Sequence, residues 1–310
     1  MIQRRTIKKQ TLFATLALLS LGCSTGTKMA YTPGKAVKIP AISVDLDHVS
    51  ASLCPRSSTD FSRKGWKDLV QISSSCVKNQ SWDRLEETAQ TLSQKEPFQP
   101  WGSYFLSLAA EGKKEFPKAL WYIDLAIKKN PSYGILFYQK GRLLWAEKNY
   151  GEAVTLVTKS LEMDFSIVDA ILFLGQVHFR DQEYDKASEY FYSVLKAKPT
   201  HILALSGLAE SRLQRKDYVG ALETLQRAVS YYPEKIDFKL RQAYIYETLL
   251  NDKVNALNIY IQIRRKVSRE NIKTPSVSEI DQKIQFLENK GRLPAVSSAQ
   301  VPMKEKEMKR

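Results

Sequence analysis

The chain has 310 residues, of which 43% are hydrophobic, and its 47 Lys and Arg against 33 Asp and Glu give a formal net charge of +14. Basic charge of this size serves nucleic acid, anionic lipid or acidic polymers. Here, however, the cations are scattered among acids with no run longer than Arg264-Arg265-Lys266, which excludes a dense polyanion-binding tract and reads as a solvated surface.

The first element, residues 1–22, is a targeting segment. Arg4, Arg5, Lys8 and Lys9 form a basic start, and Thr11 to Gly22 follow as a mostly apolar run. That run is too short to span a bilayer and has the length of a signal h-region. It ends Leu19-Ser20-Leu21-Gly22-Cys23-Ser24, which resembles the bacterial lipobox, with Ser20 and Leu21 where Leu and a small residue usually stand. The resemblance implies lipidation of Cys23. Each buried CH₂ of an acyl chain would stabilise membrane attachment by about 0.8 kcal/mol. Ser24, in place of an aspartate, leans towards the outer membrane with the protein facing the periplasm. Export argues against a nucleic-acid partner, and without the four signal-segment cations the +14 falls to +10.

Residues 23–64 read as a flexible tether, rich in Gly, Ser, Thr, Pro and Lys and without helical period. Cys54 and Cys76 would lie in an oxidising compartment. A disulfide between them is expected to pin the tether to the first folded unit, contributing roughly 3 kcal/mol by loop closure. The alternative is two free thiols, with Cys76 buried on a helix.

From about residue 65 the chain repeats. Ala119, Ala153, Ala187 and Ala221 recur every 34 residues. Each stands three residues after an aromatic (Phe116, Tyr150, Tyr184, Tyr218) and four before a bulky apolar residue (Ile123, Val157, Phe191, Leu225). Twelve residues after each alanine comes a break: Pro131, Phe165, Pro199 or Pro233. A fixed period of this size marks stacked two-helix units, whose extended surfaces suit binding rather than catalysis. Units begin at Pro100, Gly134, Val168 and Ile202, and small residues such as Gly141 and Gly175 let the paired helices approach closely. Trp82, Leu85, Ala89, Leu92 and Pro97 fit a weaker unit starting near Trp66. Ala256, Tyr260 and Ile263 fit another with one inserted residue, so the register of 236–270 is open. Ile280, Ile284 and Leu287 share one face of a last helix that Gly291 would stop. A mixed-charge tail, 292–310, is expected to be mobile.

This pattern resembles the tetratricopeptide repeat, with its Leu-Gly at unit positions 7 and 8, aromatic at 17, Ala at 20 and Pro at 32. The resemblance covers roughly residues 65–291. It implies an all-α, right-handed superhelical solenoid of about six helix-turn-helix units plus a C-terminal cap helix. In that family, positions 2, 5, 9, 12 and 13 of the first helix line the concave face. Carried over, they give Trp101, Tyr104 and Leu108; then Tyr138, Arg142 and Trp145; then Leu172, Gln176, Phe179 and Arg180. The next unit adds Leu203, Glu210, Leu213 and Gln214. Aromatics and arginines dominate interface energetics, so a groove so lined suits an extended or helical peptide. The competing reading is that Trp101, Tyr138 and Trp145 pack between neighbouring helices. Tyr104 and Leu108, or Tyr138 and Arg142, do not match the Lys and Asn of units that clamp a C-terminal carboxylate.

No catalytic constellation is found. His48, His178 and His201 lack metal-ligand spacing, His178 reads as a packing residue, and Glu86, Glu87 and Glu111 read as solvated helix acids. Two S-x-x-K spacings, at Ser75 and Ser193, lack their companion motifs. The chain is therefore expected to be no enzyme and to need no cofactor or metal. Its architecture resembles that of the type IV pilus pilotin lipoproteins. The leading expectation is a lipid-anchored periplasmic scaffold that holds a protein partner during assembly of a pilus, secretion or gliding machine. The alternatives are a module for anionic envelope polymer and a regulatory subunit of a cell-wall enzyme.

Overall fold

The computed structural model describes residues 50, 53–55, 60–270 and 275–289. The signal segment, Cys23, Gly291 and the 292–310 tail lie outside the described residues. Within them the chain forms thirteen α-helices and no strand.

Twelve helices form six consecutive pairs: α1 (Trp66–Lys78) with α2 (Trp82–Lys95), α3 (Trp101–Gly112) with α4 (Phe116–Lys129), and α5 (Gly134–Ala146) with α6 (Tyr150–Met163). They continue as α7 (Val168–Arg180) with α8 (Tyr184–Ala197), α9 (Ile202–Gln214) with α10 (Tyr218–Tyr231), and α11 (Ile236–Tyr244) with α12 (Lys253–Glu270). The last helix, α13 (Val277–Glu288), packs on α12 and opens with a capping box in which Ser276 and Glu279 exchange hydrogen bonds. Each helix packs chiefly on its neighbours in sequence, as in a helical repeat solenoid.

Close approach within the pairs explains the small residues. Ala119, Ala153, Ala187, Ala221 and Ala256 are all fully buried. At Gly141 a Cβ would stand 2.7 Å from Val157 Cγ2 and 2.9 Å from the Ala153 carbonyl oxygen, so α5 and α6 touch backbone to side chain. The bulky residue four positions after each alanine fills the space beside this contact: Ile123, Val157, Phe191 and Leu225 are all buried.

The turn inside each pair is equally regular. Gln80, Lys114, Lys148, Gln182 and Lys216 all take a left-handed conformation, with φ between 55° and 67°, and stand 34 residues apart. In the third pair the Lys148 N–H donates to the Trp145 carbonyl at 3.0 Å and the Asn149 N–H to Leu144 at 2.9 Å. That pattern closes the first helix as a Schellman motif, and the first, second, fourth and fifth pairs repeat it. The sixth left-handed residue, Asn251, comes 35 residues after Lys216. A π-helical turn at Ile245–Leu249 absorbs the inserted residue, which brings Ala256, Tyr260 and Ile263 into the core.

Cys54 and Cys76 are joined in a disulfide that closes 22 residues. The Cys54 N–H donates to Ser75 Oγ at 2.9 Å, Phe61 is buried, and Lys95 Nζ donates to the Ser62 carbonyl at 2.6 Å. These contacts hold the described part of segment 23–64 on the first helix pair.

Two outcomes follow. Lys148→Gly should raise stability by about 0.5–1 kcal/mol by relieving the left-handed strain, whereas Lys148→Val should lower it by about 1–2 kcal/mol; urea midpoints compare the two. Cys54→Ala/Cys76→Ala should cost about 2–4 kcal/mol, and dithiothreitol should lower the midpoint of the wild type to that of the variant while leaving the variant unmoved.

Candidate functional site

The residues marked for a partner sit on the first helices of the second to fifth pairs, and they divide into two groups. Trp101, Tyr104 and Leu108 on α3, Tyr138 on α5 and Leu172 on α7 are buried. Trp101 meets Tyr104 edge-on at 6.1 Å and lies 4.8 Å from the ring of Tyr133, the residue before α5. With these five buried, the accessible set narrows to Arg142, Trp145 and Phe179, half-buried, and to Gln176 and Arg180, exposed. On α9, Leu203 and Gln214 are exposed, Leu213 is half-buried and Glu210 is buried.

The accessible aromatics are clustered. The Arg180 guanidinium carbon lies 4.4 Å from the Trp145 ring and 4.9 Å from that of Tyr150. Trp145 in turn meets Tyr150 at 4.7 Å and Phe173 at 5.1 Å, both edge-on. Cation–π contacts of this exposure are worth about 0.5–1 kcal/mol, enough to pre-order Arg180 and Trp145 as one platform. Phe179 rests against Tyr184 at 5.4 Å.

Arg142 has a different surrounding. One guanidinium nitrogen donates to Glu111 Oε1 at 2.5 Å, and another to Gln139 Oε1 at 3.3 Å. Gln139 Nε2 donates to the other Glu111 oxygen at 2.7 Å. The guanidinium also lies 5.7 Å from the centre of the Tyr138 ring. Glu111 is thus not the solvated acid expected from sequence: it stands at position 12 of its unit, where the next repeat's Arg142 faces it. The same register would have drawn attention to it. Glu86 departs similarly, accepting from Lys113 at 2.7 Å and Lys118 at 3.1 Å, and these hydrogen bonds hold its carboxyl below the ordinary range. A second inter-repeat clamp joins Arg241 to Glu210 at 2.7 Å.

Burial pushes the phenols of Tyr104 and Tyr138 far above the usual tyrosine range. The charge of Arg142 opposes that shift, and those of Asp169 and Glu111 add to it. Both therefore stay neutral at physiological pH, able to donate and to accept. His178 is a packed residue, stacked on Tyr190 with centroids 5.2 Å apart and bonded through Nδ1 to Glu183 at 2.6 Å. Among the described residues no group of three or more His, Cys, Asp and Glu is placed to hold a metal ion.

Known proteins share the helical-repeat fold. The family model for anaphase-promoting complex, cyclosome, subunit 3 matches residues 146–228. Over 120 residues, 39% of this chain, the sequence is 28% identical to the N-terminal acetyltransferase A complex auxiliary subunit NAA15 of Arabidopsis thaliana, and the match spans only 13% of that protein's length. The C-terminal part of a TPR repeat-containing protein from Cytophaga hutchinsonii aligns with a TM-score of 0.60 at 15% identity, covering 72% of this chain and 88% of that one. PilF of Pseudomonas aeruginosa aligns with a TM-score of 0.56 at 13% identity, covering 74% of this chain and all of that one. Together with the 34-residue register and the six helix pairs, these likenesses identify the fold: the chain is a tetratricopeptide-type helical repeat solenoid.

Proposed function

We propose that this protein is a non-catalytic adaptor, lipid-anchored through Cys23 to the bacterial outer membrane and facing the periplasm. On this reading its first-helix face grips a protein partner while an envelope machine such as a pilus or secretion apparatus assembles. The observation that carries the adaptor reading is the Trp145–Tyr150–Phe173–Arg180 platform, which leaves Arg180 48% exposed beside a half-buried Trp145. Tryptophan and arginine so placed are the usual energetic centres of interfaces. The named relatives are consistent with it, one being an auxiliary subunit of a complex. The lipobox-like end of the apolar run supports the anchor.

The polymer-binding reading fares worse on this face. Arg142 and Arg241 are committed to Glu111 and Glu210, and Arg180 lies over aromatic rings and bonds to Asp181 at 3.1 Å. Free basic charge for a polyanion is therefore scarce there.

In-vivo crosslinking and affinity capture from the membrane fraction tests the reading. Wild type is expected to retain a partner that Trp145→Ala/Arg180→Ala loses, while Trp121→Ala, on an exposed second-helix site, keeps it. Cys23→Ala should release the protein from membranes. An unchanged partner set in the double variant would refute the platform, and capture of glycan alone would favour the polymer module.

A further inference from the structure

Cations that are scattered along the sequence are gathered by the fold at one edge of the stack. Each second helix ends, and the next first helix begins, on the edge opposite the left-handed turns. In the last three pairs the connections on that edge touch one another. The Tyr232 hydroxyl donates to the Thr200 carbonyl, joining the loops after α8 and α10. Lys266 Nζ donates to the Pro233 carbonyl at 2.6 Å, joining the loop after α10 to the end of α12. Segments 196–201, 231–237 and 264–270 are therefore neighbours, and together they carry seven Lys and Arg against three Asp and Glu. The turns at the other end of the same helices, 180–185, 214–219 and 250–255, carry four against five. The excess charge belongs to one edge.

Helix stability does not account for it. Lys196 and Arg269 stand in last turns, where a cation suits the helix dipole. Lys235, however, is the exposed N-cap residue of α11, at the positive end of its helix. Arg264 is engaged by Asp281, and Lys266 lies 3.8 Å from Glu270. Lys235 and the exposed Arg265 form no ion pair among the described residues. Beside these cations Tyr231, the last residue of α10, is 43% exposed. Tyr192, whose ring lies 4.9 Å from Lys196 Nζ, is 47% exposed. Cations rimmed by half-exposed tyrosines suit a boundary that is anionic outside and apolar beneath, because the ring can enter the apolar layer while the hydroxyl stays wet.

We propose that this edge of the fourth to sixth pairs docks on an anionic lipid surface, its Lys and Arg among the headgroup phosphates and Tyr231 at the headgroup boundary. Each cation near such a surface strengthens binding about five-fold, and physiological salt screens the attraction beyond about 8 Å. A basic patch of this size orients a protein held at a membrane by other means and does not anchor it alone. The inference goes beyond the partner face, since loops at the helix ends leave the sides of the first helices clear.

Co-sedimentation with vesicles of phosphatidylglycerol and phosphatidylethanolamine tests the proposal. The protein used is residues 24–310, which keep every described residue and lack the signal segment and Cys23. Binding is expected at low salt, should weaken at physiological salt, and should be absent with phosphatidylcholine vesicles. Lys235→Gln/Arg265→Gln, checked by its melting curve, should bind roughly twenty-fold more weakly. Lys148→Gln/Lys216→Gln removes the same charge from the opposite edge, at turn positions that Gln80 and Gln182 occupy in other pairs, and should bind as the parent does. Equal weakening by the two variants would make net charge the cause and overturn the proposal. Binding to phosphatidylcholine, or none to the anionic vesicles, would overturn it too. Tyr231→Ser should weaken binding to the vesicles and leave binding to dextran sulfate unchanged. Retention of dextran sulfate with indifference to lipid would make the edge a polymer site, and the lipid assignment would fall. None of these outcomes bears on the Trp145–Arg180 platform, so the two readings stand or fall separately.

Discussion

The contact between the two helices of each pair governs everything built on them. At Gly141 there is no room for even one carbon, and at the buried alanines of the second helices there is room for one and no more. Closely packed interiors do not absorb an extra methylene without strain, so the pair has a single way to close. The Schellman turn at the left-handed residue then sends the chain back at the same point in each of the first five units. A repeated pair with a repeated turn yields rows of equivalent positions, and those rows are the surfaces from which function is made.

Rows also explain why packing and binding compete for the same residues. Glu111 reaches Arg142 and Glu210 reaches Arg241, each across 31 residues, which is the same step through the repeat taken at two places. First-helix positions that would greet a partner in one pair are therefore the ones that seat the next. Trp101 shows the cost: the packing that fixes it against Tyr133 removes it from solvent. From Arg142 onwards part of the row regains exposure, and there Arg180 covers the Trp145 indole with its own planar group.

How far this was legible in sequence follows from the range of each interaction. The helix pairs, their alanines and their turns were legible because local spacing dictates them: helices open at Trp82, Phe116, Tyr150, Tyr184 and Tyr218, where the aromatic register puts them. The π-helical turn at Ile245–Leu249 was not, because an inserted residue shows in sequence only as a slipped register and can be absorbed at several places. Glu111 was misread for a related reason: its partner is one repeat away, and nothing around Glu111 itself distinguishes it from a solvated acid. The groove set was half legible. The family register names a row, but whether a side chain on that row faces solvent depends on the bulk of its neighbours, as the burial of Tyr104, Tyr138 and Leu172 makes plain.

The inter-repeat clamps have a chemical consequence beyond stability. Half-buried ion pairs of this kind add little net stability, since desolvation offsets much of the attraction. What they do is decide which valences remain. By engaging Arg142 with Glu111, Gln139 with Glu111, and Arg241 with Glu210, the stack withdraws those donors from the first-helix face. Part of the chain's excess of Lys and Arg is thereby neutralised by acids of the neighbouring repeats. Specificity on such a scaffold depends less on which residues line the face than on which of their hydrogen bonds the packing of repeat on repeat has not already made.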